Sequence, residues 1–187
     1  MRTSTLNECE QWRPLDLSTL IVSLPATRSA ARLDRVLDQF SVETSARYMR
    51  AANGATFCNI FAWDFCCAMG VELPHWIDPV TRLACDVGKG EEMSANCMPG
   101  WLENVGRNLG WLECGPAGAQ QEADDGHPTL AVWQAHVGHT GHVAVVTPHG
   151  WNRQDGPWIC NVGARNFRRG PLARGFGSMV PRYWSAL

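Results

Sequence analysis

Residues 55–65 read Ala55-Thr56-Phe57-Cys58-Asn59-Ile60-Phe61-Ala62-Trp63-Asp64-Phe65, preceded by Asn53-Gly54 and followed by Ala68-Met69-Gly70. The Asn-Gly pair breaks whatever comes before it. Phe61, Phe65 and Ala68 then recur at i, i+4 and i+7, which predicts a central helix from Cys58 to Met69 with Gly70 as its C-terminal stop. Cys58 opens that helix. Unpaired backbone N–H groups and the positive end of the helix dipole favour a thiolate there, so its pKa is expected to fall toward neutrality.

Toward the N-terminus, Ala31, Leu33, Val36, Leu37 and Phe40 sit at helical spacing between arginines and aspartates, predicting a first helix over 27–40. The capping character of Ser41-Val42-Glu43-Thr44 predicts a second, short helix reaching about Ala51, with Tyr48 and Met49 on its inner face. Residues 1–27, with the apolar patch Leu20-Ile21-Val22-Ser23-Leu24-Pro25, read as an N-terminal arm packed on the body.

Toward the C-terminus, Pro74 and Pro79 exclude regular helix from 73–79, so Leu73-Pro74-His75-Trp76-Ile77-Asp78-Pro79 is expected to be an aromatic loop. Met98 to Leu109, with Trp101, Leu102 and Val105, reads as a further helix ending near Gly110. The pattern then changes. Runs at 129–133, 142–146 and 157–162 are short, apolar or alternating, and divided by Gly, Pro, Asn and Asp, as strands are. Helices first and an antiparallel sheet second make an α+β chain.

At 187 residues the chain fits one domain, 1–187. Its net charge of −2 supplies no basic field for nucleic acid. No stretch reaches the roughly 20 apolar residues of a membrane span, so no membrane insertion is expected. The first residues lack the apolar core of a signal peptide, and the expectation is a chain made in the cytoplasm. The eight cysteines follow no metal-knuckle spacing and most read as buried hydrophobes, with Cys85–Cys97 as a candidate disulfide in an oxidising compartment.

Nucleophilic catalysis by cysteine needs a base, a group that orients the base, and donors for the oxyanion. Gly141-His142-Val143-Ala144-Val145-Val146 places a histidine at a strand start, where its side chain projects toward the helix start. Nineteen residues on, a separation suited to a hairpin, Asn161 is the polar position of Trp158-Ile159-Cys160-Asn161-Val162. Its amide oxygen could accept the imidazole N–H. Cys58 as nucleophile, His142 as base and Asn161 as orienter form the candidate catalytic set. His136 and His139 share a three-residue spacing with His142, but Gly138 and Gly141 disfavour the helix that would align them, and no metal or cofactor is expected. His139 is the competing base.

The stretches 56–64, Pro74-His75-Trp76, Ala95-Asn96 with Trp101-Leu102, 141–146 and Gly163-Ala164-Arg165-Asn166-Phe167 resemble the papain-like peptidoglycan peptidases and amidases. That group includes NlpC/P60 and CHAP domains, phage endolysins and type VI secretion amidase effectors. The resemblance runs from about residue 28 to 184. It implies a papain-like fold, N-terminal helices on a small antiparallel sheet, and hydrolysis of an amide bond in cell-wall peptide stems by Cys58, His142 and Asn161. Across the superfamily the third position varies among His, Asn, Gln, Asp and Glu.

It further implies a peptidoglycan substrate and, for an effector delivered by a secretion apparatus into a target cell's periplasm, a cognate immunity protein. A phage-type endolysin, a cysteine protease or deamidase acting on a protein, and a non-catalytic wall-binding module are the other readings. Asn59 is a candidate for substrate contact or for capping the helix, and His75 and Trp76 are candidates to line the groove, with a packed core residue the stronger reading for Trp76. Arg165 and Asn166, beside Arg168, Arg169 and Arg174, could receive stem carboxylates or form part of a solvated basic face. Asp64 reads as a residue that locks a neighbouring loop.

Overall fold

Asn53-Gly54 is a turn, and the helix behind it begins at Cys58. The structure, a computed structural model, describes residues 11–187. Helix α1 spans Ala30–Gln39 and α2 spans Cys58–Ala68. Ser29 caps α1 by accepting the Arg32 N–H at 3.2 Å, and Leu33, Val36 and Leu37 form its buried stripe. Helix α2 is buried on most of its circumference, leaving only Asn59, Trp63 and Cys67 half-exposed. It ends where Gly70 takes φ +66, a conformation open to glycine. Phe61 and Phe65 are fully buried, each contributing about 1.5–3 kcal/mol of apolar burial.

The short helix expected to reach Ala51 is a single 3₁₀ turn, Ala46–Tyr48. A tight turn closes instead on the Ser41 carbonyl, which accepts the Thr44 and Ser45 N–H groups at 2.9 and 2.8 Å. Tyr48 points inward, whereas Met49 is 49% exposed. The loop after Pro74 contains a two-residue strand, β1 (Trp76–Ile77), paired antiparallel with β2 (Glu91–Glu92). Helix α3 covers Met98–Asn104, a 3₁₀ turn continues over Gly106–Leu109, and Gly110 ends it at φ +93.

The remaining elements are β3 (Trp111–Cys114), α4 (Pro116–Asp124), β4 (Thr129–Trp133), β5 (His142–Asn152), β6 (Gly156–Asn161), β7 (Phe167–Pro171), α5 (Leu172–Phe176) and β8 (Arg182–Ala186). They build a six-stranded sheet in the order β3-β8-β4-β5-β6-β7, with every pair antiparallel. The chain is α+β, but helices α4 and α5 are interleaved with the strands rather than preceding them.

Strand alternation divides the core. Leu130, Val132, Val143, Val145 and Cys160 join the cluster containing α1 and α2. Ala131, Ala144, Val146 and Ile159 join a second cluster with α4 and α5 on the opposite face. The described part of the N-terminal arm is tied to the helices: Gln39 bonds both backbone groups of Ile21, and Arg32 donates to the Val22 carbonyl. Its first ten residues lie outside the described residues. The seven described cysteines are free thiols, so Cys85 and Cys97 are not joined; Cys9 lies outside the described residues. Among the described residues no helix is long and apolar enough to cross a membrane.

Candidate active site

Phe57 stands at the N-cap of α2 and offers no side-chain acceptor, so the first-turn N–H groups remain available. The Cys58 thiol lies among the backbone N–H groups of Val143, Asn59 and Cys58 itself. Contact with Val143 places it at the start of β5, one residue past His142. Cys58 is only 4% exposed. Burial pushes its thiol up, outweighing the three N–H donors, and the Glu92 charge adds to the rise. The expected fall toward neutrality is therefore corrected: the helix terminus is present, but desolvation of the thiolate is the larger effect.

His142 Nε2 and Asn161 Oδ1 are 2.7 Å apart. An amide oxygen only accepts, so Nε2 carries the hydrogen and Nδ1 holds the free lone pair. Asn161 is buried, and its Nδ2 donates to the Arg165 carbonyl at 2.8 Å, which fixes the amide's orientation. Burial pushes the His142 pKa down, partly opposed by the Asn161 bond. The thiol and the imidazole share no hydrogen bond, and catalytic contacts of this kind often tighten only around substrate.

Residue 142 has the strand parity of Ala144 and Val146, so its ring stands against Phe176 of α5, with centroids 4.8 Å apart. Cys58 comes from the other face at the same end of the sheet. Two glycines make room for the pair. A Cβ on Gly175 would stand 2.7 Å from Asn161 Oδ1, and one on Gly163 would stand 3.1 Å from His142 Cε1.

A second polar group adjoins the nucleophile. Asn59 Nδ2 donates to Glu92 Oε1 at 2.8 Å, and His75 Nε2 donates to the same oxygen at 2.9 Å. Asn59 thus does not cap its helix. His75 is buried, with its ring against Trp63 at 4.8 Å. Trp76 is half-buried and makes an edge contact with Trp12 at 5.7 Å. Nothing in the sequence marks Glu92, one of two adjacent glutamates in a weakly patterned stretch, nor Phe176 and Gly175.

Asn166 holds backbone: it donates to the Val42 and Tyr48 carbonyls at 2.9 and 2.8 Å and accepts the Gly163 N–H at 2.9 Å. Arg165 is exposed, and its carbonyl receives Asn161. Arg168 and Arg169 are not a free basic face: both bind Asp34 of α1 and Arg168 also binds Asp38. Arg174 lies over the Phe167 ring. Asp64, 1% exposed, takes Arg47 through both oxygens at 2.6 and 2.8 Å and the Tyr48 hydroxyl at 2.8 Å, locking the 46–48 turn onto α2. His136 and His139 are exposed in the turn between β4 and β5. Among the described residues no group of His, Cys, Asp or Glu is placed to hold a metal ion.

Compared with known proteins, the chain matches no family model, and no curated protein matches it in sequence.

Proposed function

We propose that this protein is a papain-like cysteine hydrolase that cleaves amide bonds in peptidoglycan peptide stems, acting as an antibacterial effector in the periplasm of a target cell and neutralised there by a cognate immunity protein. The observation that carries the chemistry is the 2.7 Å His142–Asn161 bond, next in sequence to the Val143 N–H that meets a cysteine at an uncapped helix start. The choice of substrate rests on the resemblance of the motifs around residues 56–64, 141–146 and 163–167.

In this reading His142 Nδ1 takes the Cys58 proton as sulfur attacks the scissile carbonyl. The raised thiol and lowered imidazole pKa values favour a neutral resting pair over a preformed ion pair, so proton transfer accompanies attack. The N–H groups at the start of α2 would receive the oxyanion. The imidazolium returns its proton to the departing amine, leaving a thioester. Water, activated by the same imidazole, hydrolyses the thioester to a carboxylate and restores the thiol. Asn161 holds the ring in one tautomer throughout.

Mass analysis of purified muropeptides after incubation tests this reading. The expected result is a pair of products whose masses sum to substrate plus one water, split at one amide. Intact muropeptides alongside a cleaved protein or a deamidated glutamine would overturn the substrate assignment.

A further inference from the structure

Glu92 has no function in the hydrolytic steps above, yet it stands beside the nucleophile. Its backbone is set in register opposite Trp76 in the β1–β2 pair. Its side chain is held by Asn59, the residue directly after Cys58, and by His75, both on Oε1. A carboxylate only accepts, so His75 gives its Nε2–H, and Nδ1 of that buried ring is left without a partner. The ring is clamped between Trp63 and Trp76, at centroid distances of 4.8 and 5.7 Å. Oε1 is thus pinned by two donors, while Oε2 has no partner among the described residues.

The carboxyl is held below the ordinary range, first by the His75 bond and then by Asn59, against its partial burial, so it is an anion at neutral pH. Its ion-pair partner is His75, which carries charge only when protonated; no arginine or lysine among the described residues pairs with it, and the nearby Arg82 is taken by Glu91. The Glu92 side chain is still 37% exposed. A negative charge here opposes formation of the Cys58 thiolate, and so works against the nucleophile unless a cation joins it when substrate is bound. A fixed, open carboxylate near the nucleophile, with Oε2 free and only a histidine as charge partner, is suited to an ammonium group.

We propose that Glu92 is a specificity-determining residue whose Oε2 receives a primary ammonium of the substrate next to the scissile amide, selecting peptides with a free amine there. This rests on the hydrolase reading. The amine is either the peptide's α-amine or the side-chain amine of a diamino acid. Binding its charge would also relieve the electrostatic opposition to the Cys58 thiolate, coupling recognition to attack.

The test measures binding apart from cleavage. Calorimetry on C58A and on C58A/E92Q uses one stem tetrapeptide containing a diamino acid, in three forms: both amines free, α-amine acetylated, and side-chain amine acetylated. The amide introduced by Glu92→Gln keeps an oxygen for Asn59 and His75 and removes only the charge, and matching melting curves would verify this. The free peptide is expected to bind C58A roughly 10- to 100-fold more tightly than C58A/E92Q, and acetylation of one of the two amines should abolish that difference, identifying the source of the ammonium. Equal binding by the two variants, no binding of the free peptide, or no effect of either acetylation overturns the proposal. Cleavage by wild type with equal kcat/KM in E92Q would remove the subsite and leave the hydrolase reading. Glu92-dependent binding without any cleavage by wild type would do the reverse.

Discussion

Replacing Asn161 by alanine separates orienting the base from merely filling space. The amide is 2% exposed and makes two bonds, accepting from His142 Nε2 at 2.7 Å and donating to the Arg165 carbonyl at 2.8 Å. Arg165 is exposed, so its carbonyl can turn to water, at a cost of about 0.5–1.5 kcal/mol for the lost bond. The His142 N–H is less accessible, and leaving it unmet costs about 1–3 kcal/mol. Together these predict a loss of about 1.5–4.5 kcal/mol, or a melting temperature about 3–18 °C lower for a chain of this size. Activity should fall further, because an imidazole free to rotate or change tautomer loses much of the roughly 10²–10⁴-fold that a positioned base supplies. Steady-state kinetics on a purified muropeptide and a thermal melt of the same sample measure both. A variant with a lowered melting temperature and kcat within about threefold of wild type would refute the role given to Asn161.

The lowered His142 pKa sets the acid limb of kcat/KM below the ordinary histidine value of 6.5, since the base must be neutral; Asn161→Ala should move it lower still, because the Asn161 bond holds that pKa up. A pH–rate profile with an acid limb above 6.5 contradicts this. Gly175→Ala brings a methyl to 2.7 Å from Asn161 Oδ1 and 2.8 Å from Ile159 Cδ1, so kcat should drop at least about tenfold while far-UV circular dichroism stays unchanged. Asp64→Ala leaves Arg47 and the Tyr48 hydroxyl without their buried acceptor, and denaturant titration should register a loss of about 3–5 kcal/mol. A loss under about 1 kcal/mol would show that the pair is hydrated rather than locking the turn.

Elements with strong periodicity are legible in the sequence. The stripe of Leu33, Val36 and Leu37 and the Phe61–Phe65 spacing betray α1 and α2, and the apolar runs betray β4, β5 and β6. Helix α4 is hidden because its buried face consists of Ala119, Gln120 and Ala123, small or polar residues with no apolar stripe. Strand β7, Phe-Arg-Arg-Gly-Pro, is an edge strand whose arginines are neutralised by Asp34 and Asp38, at least 130 residues away in the chain. No local pattern encodes such a pairing.

The candidate site divides along the same line. Cys58, His142 and Asn161 are readable because helix start, strand start and hairpin separation are properties of neighbouring residues. The ring's contact with Phe176, the clearance at Gly175 and the Glu92–His75 bond depend on tertiary packing of segments without distinctive periodicity. The direction of the Cys58 shift escapes the sequence for a related reason: a helix terminus is visible there, but burial is not.

Digestion of isolated sacculi by purified wild-type protein and by Cys58→Ala, followed as loss of turbidity and release of soluble fragments, tests the central claim most directly. Wild type should clear the suspension and C58A, with an unchanged melting temperature, should leave it intact. Equal clearance by the two proteins would contradict the assignment of Cys58 as the nucleophile.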